Sequence, residues 1–242
     1  MNRSLAAVQS VTDLAVRDLW LFYSGLDLSR PERVRDELLR FLPQLVATYG
    51  DVVSTAAAEW YEQVRHADLG GRYGAVLGPQ VAAGQVQSTV RYAAKDLFAD
   101  NVGRSMSLLE GAVTRYVQYS AQETVARNAR IDPGCVRFGR VPSGPRTCAF
   151  CEMLASRGEY DGRYHDHCHC QVVPVWRGVG AHVEGYNLDA MRGRYLEAWG
   201  AVKSAGGDPS DVGQLTAAMR RLHPDAYTDG VAHDASLQGV LE

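Results

Sequence analysis

The sequence predicts a mainly α-helical protein that also contains a small α+β module rich in cysteine. Apolar residues recur at helical spacing through the N-terminal half, which is typical of packed amphipathic helices. The chain then changes character at residues 131–134 (Ile-Asp-Pro-Gly), after which Pro, Gly and Cys become frequent. We therefore expect three parts: an N-terminal helical bundle over 1–131, a cysteine-rich module over 132–180, and C-terminal helices with a tail over 181–242.

Each part has its own pattern. Pro31 suits the first turn of a long helix, in which Pro43 predicts a kink. Alternating and β-branched residues predict two strands in the module. The predicted helices cover residues 4–23, 31–64, about 82–98, about 104–129, 188–202 and 211–222, the predicted strands cover 136–141 and 171–176, and a glycine-marked loop covers 70–74.

The composition is that of an ordinary globular protein. The chain is 46% hydrophobic and 22% charged, with a net charge of −3, so the whole protein shows no basic excess that would favour nucleic acid. No apolar run reaches the roughly 20 residues of a membrane span. Polar residues interrupt the N-terminus before a signal-type apolar region forms. We expect a protein made in a cytoplasm and kept there, or packed into a particle assembled there.

The cysteines form two close pairs, Cys148-Ala-Phe-Cys151 and Cys168-His-Cys170, with sixteen residues between them. Two such pairs supply the four thiolates of a tetrahedral zinc site, and the separation is typical of zinc-ribbon-like sites. Disulfide frameworks spread their cysteines more widely. The sequence therefore predicts one structural zinc ion.

The identity of the fourth ligand is open. If residues 168–170 are extended, both cysteines point to the same side, and four cysteines form the most economical set. If the preceding residues are not extended, His165 can replace Cys168 or Cys170, and Asp166 can orient a ligating imidazole. The candidate ligands are Cys148, Cys151, His165, Cys168 and Cys170.

Other uses of these residues fit less well. A redox C-x-x-C normally opens a helix within a βαβ unit, which the sequence does not indicate, and disulfide formation in an exported particle is a further alternative. A zinc deaminase needs H-x-E before P-C-x-x-C, whereas His182-Val-Glu184 follows the cysteines. A cysteine protease needs a base held across a cleft, which five clustered candidate ligands do not provide. We expect no enzymatic activity.

Arginines concentrate around the boundary of the first two parts, where Asp132 is the one acidic residue among them. A solvated connector explains this stretch, and contact with DNA phosphates or an acidic partner is the alternative. The arginines concerned are Arg127, Arg130, Arg137, Arg140 and Arg146.

A family resemblance rests on three stretches: VPSGPRTCAFCEMLASRG at 141–158, YHDHCHC at 164–170 and VVPVW at 172–176. Together they resemble the minor capsid proteins of tailed phages of actinobacteria, which belong with the Mu F-like head morphogenesis proteins. The likeness is specific over about residues 136–177. Over the N-terminal helices it extends only to a shared layout, with helices first and the cysteine module after them.

The Mu F-like module carries C-x-x-C followed by H-P-x-C-x-C, and this chain matches both elements except that Asp166 stands where the wider family has proline. The matching residues are Cys148 and Cys151 for the first element and His165, Cys168 and Cys170 for the second.

The resemblance implies a structural role in building a phage head. It implies a low-copy protein that is assembled in the host cytoplasm, associates with the portal protein and the major capsid protein, and is enclosed in the capsid interior. Some relatives of this type are labelled capsid maturation proteases, which makes proteolysis one alternative. An internal head protein that contacts packaged DNA through Arg127, Arg130, Arg137 and Arg140 is another.

Overall fold

The computed structural model describes residues 3–142, 148–156, 170–179 and 187–227. Over these residues the protein is mainly α-helical with one two-stranded sheet, as predicted. The elements are α1 (Arg3–Ser24), α2 (Pro31–Leu69), α3 (Ala83–Phe98), α4 (Val102–Ile131), β1 (Cys135–Val141), α5 (Ala149–Ser156), β2 (Gln171–Trp176), α6 (Leu188–Ser204), α7 (Val212–Leu222) and a short 3-10 helix (Pro224–Ala226).

The chain divides into two compact units between Asp132 and Pro133. The first unit is the predicted helical bundle, in which α2 packs against α1, α3 and α4, and α4 also contacts α1 and α3. Burying a large aliphatic or aromatic side chain stabilises a fold by about 1.5–3 kcal/mol, and the bundle buries many of them. Among the described side chains of its core, five that are at most 1% exposed are Leu19, Leu38, Tyr61, Leu109 and Val113.

Local signals fix where the helices begin. Pro31 lies in the first turn of α2, where its missing N–H costs no hydrogen bond. The helix continues without interruption through Pro43, where the sequence predicts a kink. Capping side chains accept a backbone N–H at 3.0–3.2 Å at the start of three other helices: Asn101 for α4, Asn187 for α6 and Asp211 for α7.

The predicted glycine loop continues as an extended segment, residues 73–80, that lies against α4 and is called the strap below. The Asn128 side chain accepts the N–H of Val76 at 2.9 Å and donates to its carbonyl oxygen at 2.7 Å. The Thr124 hydroxyl accepts the N–H of Gly78 at 2.9 Å. Side chains of α4 thus form the hydrogen bonds that the backbone groups of the strap need, because the strap is neither helix nor strand.

Gly78 and Gln80 bring the strap close to its neighbours. A Cβ atom at Gly78 would lie 2.6 Å from the backbone nitrogen of Thr124, so α4 leaves no room for a side chain there. The Gln80 side chain bridges two helices, because it accepts from Ser120 and donates to Ser54, each at 3.2 Å. The strap is therefore part of the packed bundle.

Asp132 marks the end of the first unit and is fixed to α2. Its side chain is fully buried and accepts from Arg65 Nε at 2.7 Å and from the Tyr61 hydroxyl at 3.2 Å. Arg65 also donates to the carbonyl oxygen of Gly70 at 3.2 Å. A buried carboxylate is stable only when it is paired and hydrogen-bonded, and these contacts meet that need.

The second unit begins with the predicted strands, which pair antiparallel from Cys135 opposite Trp176 to Val141 opposite Gln171. Helix α5, which the sequence did not predict, contacts β1, α6 and α7. The cysteine module and the C-terminal helices share one apolar core formed by Ala149, Met153, Leu154, Ala198, Val202, Leu215, Ala218, Met219 and Tyr227. In the part of the chain that the structure describes, no helix has the length and apolar character needed to cross a membrane.

Candidate metal centre

The C-x-x-C motif lies where α5 begins. Cys148 immediately precedes the helix, and its carbonyl oxygen accepts the N–H of Glu152 at 3.0 Å. Cys151 lies in the first turn and is fully buried. The segment AFCEMLAS that contains Cys151 is helical, and every residue of it except Phe150 is buried.

The helical start of the C-x-x-C motif bears on the redox alternative. A C-x-x-C that opens a helix is the local arrangement found in redox motifs, whereas the sequence did not indicate the βαβ unit that normally contains it. The surrounding topology differs, because β1 and β2 are antiparallel neighbours, whereas a βαβ unit joins parallel strands. The motif therefore shares the helix start of a redox dithiol but lies in a different structural unit.

Cys170 approaches the same region from β2. It immediately precedes the strand and is 5% exposed. Its neighbour Gln171 pairs with Val141 at the end of β1, and Val172 pairs with Arg140. The pairing of β1 with β2 therefore brings Cys170 to the C-terminal end of β1, the end from which the chain continues to the C-x-x-C motif.

The metal prediction remains a prediction. Cys135, Cys148, Cys151 and Cys170 form no disulfide bond with one another. Among the described residues, no three His, Cys, Asp or Glu side chains gather into a group that could hold a metal ion. His165 and Cys168, the other two candidate ligands, lie outside the described residues.

A buried ionic cluster that the sequence analysis missed lies directly beside the cysteines. Glu152 follows Cys151 and is 2% exposed. Its carboxylate accepts two hydrogen bonds from Arg194 on α6, at 2.7 and 3.0 Å, and one from the Tyr227 hydroxyl at 2.7 Å. These three residues, called the Glu152 cluster below, join α5 to α6 and to the chain after α7.

Electrostatics in the Glu152 cluster favour one protonation state. The hydrogen bond to Glu152 raises the pKa of Arg194, so the guanidinium stays charged. Burial, followed by the hydrogen bond to Glu152, raises the pKa of Tyr227 above its usual value of 10.0, so the hydroxyl keeps its proton. The sequence signal for this cluster was Glu152 itself, a single acidic residue within a short apolar segment. A carboxylate that is buried with such a segment requires a partner.

The arginines of the predicted basic stretch have different environments. In the first unit, Arg127 donates to the carbonyl oxygen of Leu77 at 3.0 Å, and Arg130 lies 3.5 Å from a carboxylate oxygen of Glu123. In the second unit, Arg137 is exposed, whereas Arg140 is 1% exposed and cannot offer its guanidinium to DNA. Arg140 is therefore a poor candidate for the predicted DNA contact, which stays a prediction for Arg127, Arg130 and Arg137. Arg146 lies outside the described residues.

Comparison with known proteins places the chain among phage-associated proteins. A family model described as VG15 protein matches residues 1–198, which include the whole first unit and all five cysteines. The chain belongs to the VG15 protein family. No curated protein and no solved structure matches it. The prediction of a phage protein is thereby confirmed at the level of the family, while the Mu F-like assignment stays a prediction.

Proposed function

We propose that this chain is a structural minor capsid protein of a tailed phage, associated with the portal and enclosed in the head. The observation that carries the proposal is the phage-associated family match over residues 1–198, which spans both the bundle and the cysteine module. In this role the helical bundle docks on the portal or major capsid protein, and the cysteine module forms a small rigid element.

The environment of Cys151 supports a structural role for the cysteines. Reactive cysteines are partly exposed, whereas Cys151 is fully buried. Glu152, the adjacent acidic residue, is fully engaged by Arg194 and Tyr227 and so is not placed to act as a base. These contacts favour assembly over proteolysis.

We expect the full chain in purified proheads and virions at a copy number far below that of the major capsid protein. Quantitative mass spectrometry of heads separated from tails measures this, with the portal protein as the reference for low copy number. Absence of the chain from heads would contradict the proposal. Specific cleavage of the major capsid protein by the purified chain, abolished by a single substitution, would favour the protease alternative.

We further propose that the cysteine module holds one structural zinc ion through Cys148, Cys151 and Cys170, with Cys168 or His165 as the fourth ligand. The three described cysteines suit zinc because they belong to one unit, and two of them are buried. When bound, zinc would supply folding free energy that a module of this size obtains only in part from its core.

Zinc removal is expected to unfold the second unit and leave the first unit helical. The reduced full chain should contain about one zinc ion by elemental analysis, and a chelator should abolish the near-ultraviolet circular dichroism of the module. Cys148→Ser should lose the zinc ion. Cys135→Ser is the matched control, because Cys135 lies outside the motif and its thiol contacts the carbonyl oxygen of Arg137 at 3.0 Å. A reduced chain that contains no metal would refute the zinc proposal.

A further inference from the structure

Arg140 is a charged side chain placed inside the second unit. It lies on β1 opposite Val172 and is 1% exposed. Its guanidinium nitrogen Nη1 lies 3.9 Å from the sulfur of Cys151, within hydrogen-bond distance for sulfur. Arginine keeps its charge in proteins, and a buried charge is costly unless a counter-charge or strong acceptor stands beside it. The contact places a cationic donor against the sulfur of Cys151.

Cys151, the acceptor in this contact, is also one of the proposed zinc ligands. It lies in the first turn of α5, where the helix dipole also favours an anion. A thiol is a weak acceptor, whereas a thiolate bound to zinc accepts strongly, and zinc with three or four thiolates remains a net anion.

We propose that Arg140 is a positioning residue for the metal site. Its guanidinium donates an N–H···S hydrogen bond to the Cys151 thiolate and offsets the negative charge of the zinc–thiolate group. This inference rests on the proposed zinc site and deepens it, because it assigns a function to a buried arginine that no ligand motif includes. Partners of this kind orient metal ligands, and their loss typically lowers metal affinity about 10- to 100-fold.

The test measures zinc affinity of the reduced full chain by competition with a chelating dye, for Arg140→Met and Arg140→Lys. Methionine keeps the length and apolar bulk of the side chain but removes the charge and the donors, so we expect about 10- to 100-fold weaker zinc binding. Lysine keeps the charge and should retain most of the affinity. Arg137→Met is the matched control, since Arg137 is exposed on the same strand and should bind zinc like the unmodified chain.

The absorption spectrum of the cobalt(II)-bound chain provides a second measurement, which a change in packing alone would not alter. Loss of the N–H···S bond raises the energy of the sulfur lone pair, so the thiolate-to-cobalt charge-transfer band of Arg140→Met should shift to longer wavelength. If Arg140→Met folds only with metal, the zinc concentration at half-folding gives the same affinity comparison, because binding and folding are linked.

The outcomes separate the two proposals. Weaker binding in Arg140→Met with rescue in Arg140→Lys supports the role of the charge. Equal loss in both variants would indicate a packing role and overturn the inference, as would unchanged affinity in both. In these two cases the unmodified chain still binds zinc, so the metal site itself stands. If the unmodified chain binds neither zinc nor cobalt, both the zinc site and the role of Arg140 are wrong.

Discussion

Replacing Glu152 with alanine is expected to lower the free energy of unfolding of the second unit by about 3 kcal/mol. The substitution removes the acceptor of three hydrogen bonds and leaves Arg194 and the Tyr227 hydroxyl without it. Arg194 can still reach water, since its side chain is 28% exposed, and this places the loss at the lower end of what breaking a buried ion pair costs. Urea denaturation of the zinc-saturated chain, followed by circular dichroism, measures the change.

Glu197 provides the matched control on α6. It lies 3.2 Å from His223, but its side chain is 59% exposed. An exposed pair contributes little, so Glu197→Ala should change the free energy of unfolding by less than about 0.5 kcal/mol. If both alanine variants unfold at the same urea concentration as the unmodified chain, the Glu152 cluster does not stabilise the unit as described.

Replacing Gly78 with alanine is expected to destabilise the first unit by about 2–3 kcal/mol. The added Cβ would lie 2.6 Å from a nitrogen and 2.7 Å from a carbon of the α4 backbone, and helix backbone cannot move aside as a flexible side chain can. The strap would have to shift outward, which would also weaken the hydrogen bonds that Gly78 and Val76 make with α4. Thermal and urea denaturation of the first-unit transition measure the effect.

Gly74 is the control for Gly78. It belongs to the same segment, but a Cβ there would have nothing within 4 Å. Gly74→Ala should therefore be neutral or slightly stabilising, because alanine restricts the unfolded chain more than glycine does. A similar loss of stability in both variants would show that flexibility, and not the close approach to α4, explains the requirement for glycine at position 78.

Periodicity predicted most of this fold. The long helices lie where apolar spacing placed them, because each has one face against a core and another toward solvent. Both strands lie where β-branched residues placed them, although β2 is buried almost throughout. Helix α5 was not predicted because almost all of its side chains are buried. The segment therefore lacks the polar face by which an amphipathic helix is recognised in a sequence.

For the candidate site, the sequence indicated candidate ligands, which stay a prediction, but not the residues that surround them. Spacing alone selected Cys148, Cys151 and Cys170, whereas the partner of Glu152 lies 42 residues along the chain, at Arg194. Arg140 was predicted to meet solvent or DNA, as arginine in a basic stretch usually does, and its burial depends on how α5 packs against β1. Such pairings arise from tertiary structure, and no local pattern in a single sequence encodes them.

The strap also constrains how the length of this chain can vary. Its contacts advance by two residues, from Val76 to Gly78 to Gln80, while their partners on α4 recede by four, from Asn128 to Thr124 to Ser120. Two extended residues span about 6.6 Å and four helical residues about 6.0 Å, so the two repeats are nearly commensurate. An insertion or deletion between residues 76 and 80 would break this register, so length variation should be confined to the glycines that precede it.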